Sequence, residues 1–496
     1  MSDKRPRFFE SLQTKSLRGE NNMPTHSSSG NYVVDLFFKM GGFRKNPTAS
    51  IQELVSVFFA AYGENPNLAV KALLHLRDVR GGMGERNSGK ILLYFLAKSH
   101  PEVVRELVPH LPEYGRWDDL LVLLDTPVEN EVLELIRKAL AEGDELCAKW
   151  MPRENKSQGE IAKYLMARFG LSPKKYRQML SGLSGGLVER AMCQGMWESI
   201  NFQHVPSVAM KNYRKAFSRH QPERFVKFLE AVKKGEAKIN TAALSPVDVV
   251  EKYIGSMSWR NRYIAEADET LEALWRNLPD VVPADLSFLP ICDLSGSMQG
   301  TPMAVSIALG IYLSQRNKSV FKNAFITFSQ NPAFVELTGK TLLDNLNIMK
   351  AVNMAENTNL QATFRLILDS AVRAQLPAED MPQNLIIISD MQFDSCVGVG
   401  NQLERITRSF NHTAMEMIDR MYQEAGYKRP GIIFWNVRTS TGVPAKTNEL
   451  GVALVSGYSP NLLRSVLTKD YTPISQVEAI LNNGRYDVVN EILKEK

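Results

Sequence analysis

Cysteine is scarce in this chain. Its four residues, Cys147, Cys193, Cys292 and Cys396, lie far apart, and none belongs to a CxxC pair or a Cys/His cluster. That spacing argues against a disulfide framework and a structural zinc site, and it fits a reducing cytosol or nucleus. Long apolar stretches are missing as well. No run approaches the roughly 18 residues that a membrane span requires, so no membrane partner is expected. The opening Met1-Ser-Asp-Lys-Arg-Pro-Arg7 is charged and has no apolar core, so a secretory leader is not expected. These absences point to a cytoplasmic location, with the nucleus as the alternative, and away from secretion.

A large excess of one charge sign is also lacking: 59 Lys+Arg against 54 Asp+Glu leave +5. The distribution is less even. Residues 281–496 hold 19 basic and 20 acidic side chains (net −1), whereas residues 149–238 hold 18 and 7 (net +11). Local basic surface is how a chain meets phosphate. At 496 residues, with 44% hydrophobic and 23% charged content, the chain suits a soluble globular protein. Its length predicts about two to four domains.

Three parts follow from the pattern along the chain. Residues 1–30 are polar and mixed in charge and read as a tail or capping segment with little independent structure. Residues 31–280 read as helix after helix. Thr48 to Tyr62, for example, puts Leu54, Val57, Phe58 and Ala61 on one face. Further helices are expected at 116–124, 129–142, 159–169, 173–180, 188–198, 206–218, 222–233 and 246–254. Short helices in succession with no strands between them predict an all-α helical-repeat array. Residues 281–496 then alternate β-rich and helical runs. Strands are expected at Phe288–Cys292, Ala324–Phe328, Leu385–Ser389 and Ile432–Val437, with an edge strand at Val452–Val455. Helices are expected at 301–315, 360–374, 400–424 and 460–468. This alternation predicts a doubly wound, Rossmann-like α/β domain.

Within that domain, Asp293-Leu-Ser295-Gly-Ser297 breaks from the end of a strand into a Gly/Ser turn and a helix. Ligands of parallel sheets bind at the carboxyl ends of strands. Asn357-Thr358-Asn359 precedes another helix, and Ile386-Ile-Ile-Ser389-Asp390 ends another strand in a carboxylate. Three loops thus bring Asp293, Ser295, Ser297, Thr358 and Asp390 to one edge, a set of hard oxygens suited to Mg²⁺. The alternative is that the hydroxyls only cap helices. These five positions resemble the metal-ion-dependent adhesion site of a von Willebrand factor A domain. The resemblance covers about 281–496 and implies one bound Mg²⁺ (or Mn²⁺) with a coordination position open to an acidic group of a partner. A hydrolase would add a general base or a second ion. The nearby Asp394 reads as a cap and His412 as a helix residue, so catalysis is not expected, and a metal-dependent hydrolase is the minority reading.

In the helical half, Arg77-Asp-Val-Arg80-Gly-Gly-Met-Gly84-Glu-Arg86 invites comparison with a phosphate loop, and Gly84 to Lys90 satisfies most of the G-x-x-x-x-G-K pattern. Ile91 stands where a Ser or Thr must meet the metal, and a helix rather than a strand precedes the segment, so nucleotide hydrolysis is rejected. The segment reads as an inter-helix turn whose charges pair with one another. Arg80 and Arg86 are secondary candidates for phosphate contact. The stronger basic candidates are Lys149, Arg153, Lys174, Lys175, Arg177, Arg214, Lys215, Arg219, Arg224 and Lys227, interleaved with Trp150, Tyr176 and Tyr213. Cations for phosphates and rings for bases are what RNA binding uses. A core role for the rings and a solvated face for the lysines is the plainer account of any one residue.

Helices joined to an A domain resemble the Ro ribonucleoprotein, or TROVE-type, layout, in which helical repeats of HEAT-like character bind RNA. The runs Arg77–Arg86, Tyr114-Gly-Arg-Trp-Asp-Asp119 and Ser389-Asp-Met-Gln-Phe-Asp394 are similar to a poorly characterised family of viral, fungal and plant proteins with that layout. The resemblance implies RNA as a partner and no individual contact residue. Two readings therefore stand: a non-enzymatic RNA-binding protein with a metal-dependent A domain, or a protein–protein adaptor whose metal site grips a carboxylate and whose basic region meets an acidic protein.

Overall fold

A computed structural model describes residues 16–18, 24–45, 47–254, 266–329, 331–352, 360–392, 414–438, 442–465 and 471–494. Helices fill the chain from Tyr32 to Arg276, and a six-stranded sheet with flanking helices follows from Phe288. Among the described residues, no helix is long and apolar enough to cross a membrane.

The helices form where the sequence places caps and apolar periodicity. Asn65 accepts from the Leu68 amide ahead of Pro66–Arg77, and Ser172 does the same for Lys175 ahead of Pro173–Leu183. Glu129–Ala141, Gly159–Phe169, Ser207–His220, Pro222–Lys234 and Pro246–Ile254 lie within a few residues of expectation. Three expected helices tighten wholly or in part into 3₁₀ turns: Trp117–Leu123, Pro460–Ser465 and, after the helix Val188–Cys193, Trp197–Ser199. In the first, Asp119 folds back to accept from the Arg116 amide, which favours the shorter repeat.

The sheet strands are β1 (Phe288–Asp293), β2 (Ala324–Phe328), β3 (Phe334–Glu336), β4 (Asn384–Ser389), β5 (Gly431–Asn436) and β6 (Val452–Ser456). Their spatial order is β3-β2-β1-β4-β5-β6, with every pairing parallel except β2–β3. β1, β2, β4 and β6 are buried along their whole length, as a parallel sheet covered on both faces requires. The order reverses between β1 and β4, which is the switch point where such sheets bind ligands. Elements not expected include β3 and the helices Leu342–Ala351 and Val488–Lys494.

The two ends of the chain meet. The segment ahead of the first helix, expected to be a tail, lies against the sheet region: His26 bridges Val443, Lys446 donates to the Ser28 carbonyl and the Thr447 amide to that of Ser29. The first helix, Tyr32–Met40, packs on β6. There Ser456 Oγ donates to the Phe37 carbonyl, and from β5 Asn436 Nδ2 donates to that of Phe38. The helix Pro66–Arg77 packs on Pro473–Leu481 and Val488–Lys494, and Pro246–Ile254 packs on Thr301–Arg316. Both ends of the helical half therefore rest on the sheet half, and a cavity of about 140 Å³ at their junction is lined by Arg80, Ser245, Tyr312, Asn461 and Arg464 among others.

At the centre of this closure, fully buried Asp78 accepts from Arg485 Nε and Nη2 (2.8 Å for the latter), from Tyr486 Oη (3.0 Å) and from the Arg80 amide (2.9 Å). Removing one member of a buried pair strands the other, at roughly 3–5 kcal/mol. Asp78→Ala should therefore lose several kcal/mol in denaturant unfolding, with most of the coupling to Arg485 recovered in a double-mutant cycle. A loss under about 1 kcal/mol would mean that the contact does not hold the ends together.

Candidate metal centre and basic surface

The candidate metal residues lie at the switch point because β1 and β4 are neighbours in parallel register, Cys292 beside Ile388. Asp293 ends β1 and Asp390 follows β4; both are fully buried. The chain leaves β1 through a 3₁₀ turn, Gly296–Met298, and enters the helix Thr301–Arg316 with Pro in its first turn. Gly300 makes that entry at φ +92°, a conformation that favours glycine. Met391, just past Asp390, is also left-handed (φ 63°), and strain of this kind in a non-glycine residue clusters at ligand sites.

The Asp293 carboxylate accepts from the Ser295 amide on Oδ1 (2.9 Å) and from Ser389 Oγ on Oδ2 (2.6 Å). Ser295 Oγ and Ser297 Oγ lie 3.1 Å apart. Asp390 Oδ1 accepts from the Gln392 amide, and Oδ2 lies 3.8 Å from Arg438 Nη1, which donates to the Ser297 carbonyl at 2.8 Å. Burial first, and then the negative charge of Asp390, push Asp293 up to about 7, against the hydrogen bonds from Ser389 and Ser295. Two carboxylates thus lie out of water, with the Arg438 guanidinium 3.8 Å from Asp390, and hard oxygens of this kind suit a divalent cation. Among the described residues no group of three or more His, Cys, Asp and Glu is gathered for a metal, at this site or at any other. The structure thus brings Asp293, Ser295, Ser297 and Asp390 together. Thr358, Asp394 and His412, like residues 400–413 of the expected helix, lie outside the described residues.

Sequence reasoning assigned no role to Ser389 or Arg438. The first was legible as a hydroxyl beside Asp390 at a strand end. The second follows β5, and nothing in its local sequence ties it to the site.

The ten basic candidates divide. Lys149 pairs with Glu189 (2.9 Å) and Arg214 with Asp268 (2.6 Å), while Arg153 donates to the Ala148 and Met151 carbonyls and Arg224 to those of Trp197 and Ile200. Lys174, Lys175, Arg177, Lys215, Arg219 and Lys227 are exposed and form no ion pair among the described residues. They sit on two helix groups. Pro173–Leu183 packs on Glu145–Trp150 and Gly159–Phe169, whereas Ser207–His220 packs on Pro222–Lys234 and Glu269–Arg276. Of the rings, Tyr176 is buried, Tyr213 is half-buried, and Trp150 is covered by Arg116, whose Cζ lies 3.7 Å from its centroid.

Two sequence families match the chain. One, described as Domain of unknown function (DUF2828), matches residues 19–168 and 172–283. The other, described as Domain of unknown function (DUF7788), matches residues 287–492. A protein of Acanthamoeba polyphaga mimivirus, named Uncharacterized protein L728, is 28% identical over 517 residues, covering 93% of this chain and 86% of the relative. The crystal structure of the Deinococcus radiodurans RO (RSR) protein superposes at a TM-score of 0.41 with 13% identity, covering 92% of this chain and 100% of that one. Agreement this loose establishes neither fold nor function.

The raised Asp293 gives a signed pH dependence. In metal-free protein, folded Asp293 keeps its proton up to about pH 7, whereas an unfolded Asp loses it near 4. The folded state therefore binds more protons between those values, and its stability falls as pH rises through them. The loss is on the order of 2–4 kcal/mol. Denaturant titrations at both ends of the window, with chelator present, should show it in the wild type and not in Asp293→Asn; equal slopes in the two would count against it.

Proposed function

The chain belongs to the family described as Domain of unknown function (DUF2828), and from that footing we propose that it is a non-enzymatic RNA-binding protein of two parts. A helical-repeat region of TROVE type, about residues 31–280, meets RNA. A von Willebrand A-type domain, about 281–496, holds Mg²⁺ (or Mn²⁺) and grips an acidic group of a partner. The observation that carries this reading is the buried Asp293–Asp390 pair, placed with Ser295 and Ser297 at the switch point of a sheet ordered β3-β2-β1-β4-β5-β6.

Asp293, Ser295, Ser297 and Asp390 would hold the ion, and Ser389 and Arg438 would orient them. Ser389 fixes the Asp293 carboxylate through its 2.6 Å bond, and Arg438 pins the Ser297 turn through its carbonyl. The bound cation would supply Lewis acidity toward an incoming oxygen. Neutral hydroxyls leave it electrophilic, which suits a carboxylate or phosphate oxygen. Arg438, 44% exposed at its side chain, adds positive charge at the rim.

The exposed cations Lys174, Lys175, Arg177, Lys215, Arg219 and Lys227 support the RNA half, because cations that form no ion pair among the described residues can neutralise phosphates. That they lie on two helix groups favours a second reading, the adaptor, in which each group meets acidic protein surface.

Filter binding separates the two. RNA retention should fall steeply with monovalent salt. Reversing Lys174, Lys175 and Arg177 to Glu should weaken it at least tenfold and lower the log–log salt slope by about 2, at roughly 0.7 for each phosphate no longer neutralised. Absence of retention at low salt leaves the adaptor. For the metal half, millimolar Mg²⁺ should raise the melting temperature of the wild type by a few degrees, as binding to the folded state requires, and leave that of Asp293→Asn unmoved. An equal rise in both would remove the ion from this site.

A further inference from the structure

The segment Gly84–Lys90, set aside as a nucleotide loop, opens the helix Asn87–Ser99 and joins a charge cluster that the proposed function does not use. Arg77 grips Asp119 through Nε (2.7 Å) and Nη2 (2.6 Å). Lys90 Nζ lies 3.3 Å from Asp119 Oδ1 and donates to the Asp118 carbonyl at 3.0 Å. Arg86 Nη2 and Arg116 Nη2 both bond one oxygen, Asp118 Oδ2, the latter at 3.0 Å. Four cations thus converge on two carboxylates, a surplus of +2. Counting buried Glu85, whose Oε1 accepts from the Asn87 amide, still leaves +1.

Two guanidiniums sharing one oxygen repel each other, and the arrangement persists because other contacts hold them there. Arg116 is stacked 3.7 Å over Trp150, with Lys149 Nζ 5.7 Å from the same ring. Burial first, and then Arg86 among the neighbouring charges, bias Lys90 and Arg116 toward losing a proton, against the pull of Asp118 and Asp119. The glycine of the Gly89-Lys90 pair is there for packing: a Cβ on it would meet Arg77 Cβ at 3.1 Å.

The cluster also has donors to spare. Arg77, whose side chain is nine-tenths buried, leaves Nη1 without a hydrogen-bond partner, and Arg86 leaves Nε so. On the solvent side, the side chains of Arg86, Arg116 and Lys90 are 43%, 27% and 18% exposed. The two unspent donors lie buried behind that rim, and surplus charge with arginine guanidiniums held in place at an accessible edge is what a phosphate group requires.

We propose that Arg86, Arg116 and Lys90, backed by Arg77, form a phosphate-binding site, taking the phosphate of a nucleotide or of a nucleic-acid strand. Arg116 spends its Nε and Nη2 edge on Asp118 (3.0 Å each), so phosphate oxygens accept from the remaining Nη N–H groups of Arg86 and Arg116 and from Lys90, while Asp118 and Asp119 keep the cations from flying apart. Only the identity of the phosphate's carrier rests on the RNA reading.

Pyrophosphate titrated calorimetrically into the full chain tests the site, with a short oligouridylate as the second arm. Wild type should bind pyrophosphate saturably at one per chain. Arg86→Gln should lose tenfold or more in affinity, and Arg116→Lys, which keeps charge but gives up the fork, should lose the same. Because Arg86→Gln removes a partner of Asp118, each variant is first melted to confirm folding, and Arg116→Lys decides if Arg86→Gln does not fold. No saturable pyrophosphate binding by wild type, or a smaller loss in the folded variants, overturns the proposal. If oligouridylate affinity falls with that of pyrophosphate, the carrier is a nucleic-acid strand; if it does not, the carrier is a small phosphate compound. Pyrophosphate binding that survives alongside failed RNA retention leaves this site standing while removing the RNA reading.

Discussion

Asp78 is fully buried and takes hydrogen bonds from Arg485 and Tyr486, some 400 residues along the chain. A carboxylate in that position is tolerable only because the opposite end of the chain supplies its partners. The same contact fixes the glycine-rich turn above it. A Cβ on Gly82 would stand 2.0 Å from the His75 carbonyl, and one on Gly81 2.8 Å from Arg485 Cδ. His75 is buried beneath, held to Tyr486 through Nδ1 at 3.1 Å and pushed down to about 4 by burial, so it sits neutral inside the joint. The first helices and the last ones are thus joined through this polar knot, with Lys71 Nζ donating to Asn482 Oδ1 (2.6 Å) and Asn67 Nδ2 to Asn490 Oδ1 (3.0 Å) beside it.

Three acidic environments in this protein separate by where their compensating charge comes from. At Asp78, burial would raise the carboxyl, but the hydrogen bonds and charge of Arg485 with the Arg80 amide outweigh it and hold the group below the usual carboxylate range. At Asp118 and Asp119 the protein supplies more cations than carboxylates. At Asp293, burial and the charge of Asp390 outweigh the hydrogen bonds from Ser389 and Ser295 and push the carboxyl up. A carboxylate satisfied from within is a structural element. A buried carboxyl pushed up suits a cation and a surplus of positive charge an anion, and this difference separates the candidate metal centre from the arginine cluster.

Legibility in the sequence followed the range of the interactions. The apolar runs ending in Asp293 and in Ser389-Asp390 were readable because strand burial and strand-end chemistry are local, and the switch-point location followed from them. The segment Arg77–Arg86 was readable as an inter-helix turn, but its charges do not pair with one another as expected: Arg77 meets Asp119, Arg86 meets Asp118 and Asp78 meets Arg485. The three-residue strand Phe334–Glu336 was too short to show alternation, and its Phe334 is exposed. Arg438 and the closure through Arg485 were invisible because their partners are far away in sequence. Part of the charge in the basic segment is spent on partners, a related case. Net charge counts side chains without their partners, and Lys149, Lys211 and Arg214 spend theirs on Glu189, Asp248 and Asp268.

The candidate metal centre and the joint between the chain ends share a residue. Asn436 ends β5; its Oδ1 accepts from the Arg438 amide at 3.1 Å, and its Nδ2 donates to the Phe38 carbonyl at 3.1 Å. Arg438 in turn holds the Ser297 turn and faces Asp390. One buried amide side chain therefore links the rim of the switch-point site to the first helix, whose next carbonyl inward is held by Ser456 of the edge strand. Because an amide in that position has no spare geometry, the loop carrying Arg438 cannot shift without giving up a bond to the helix or to its own backbone. The edge strand β6, which would otherwise present open backbone, is closed by the same helix. Covering the sheet edge and setting the rim of the site are consequences of one packing decision, the return of the first helix to the last strand.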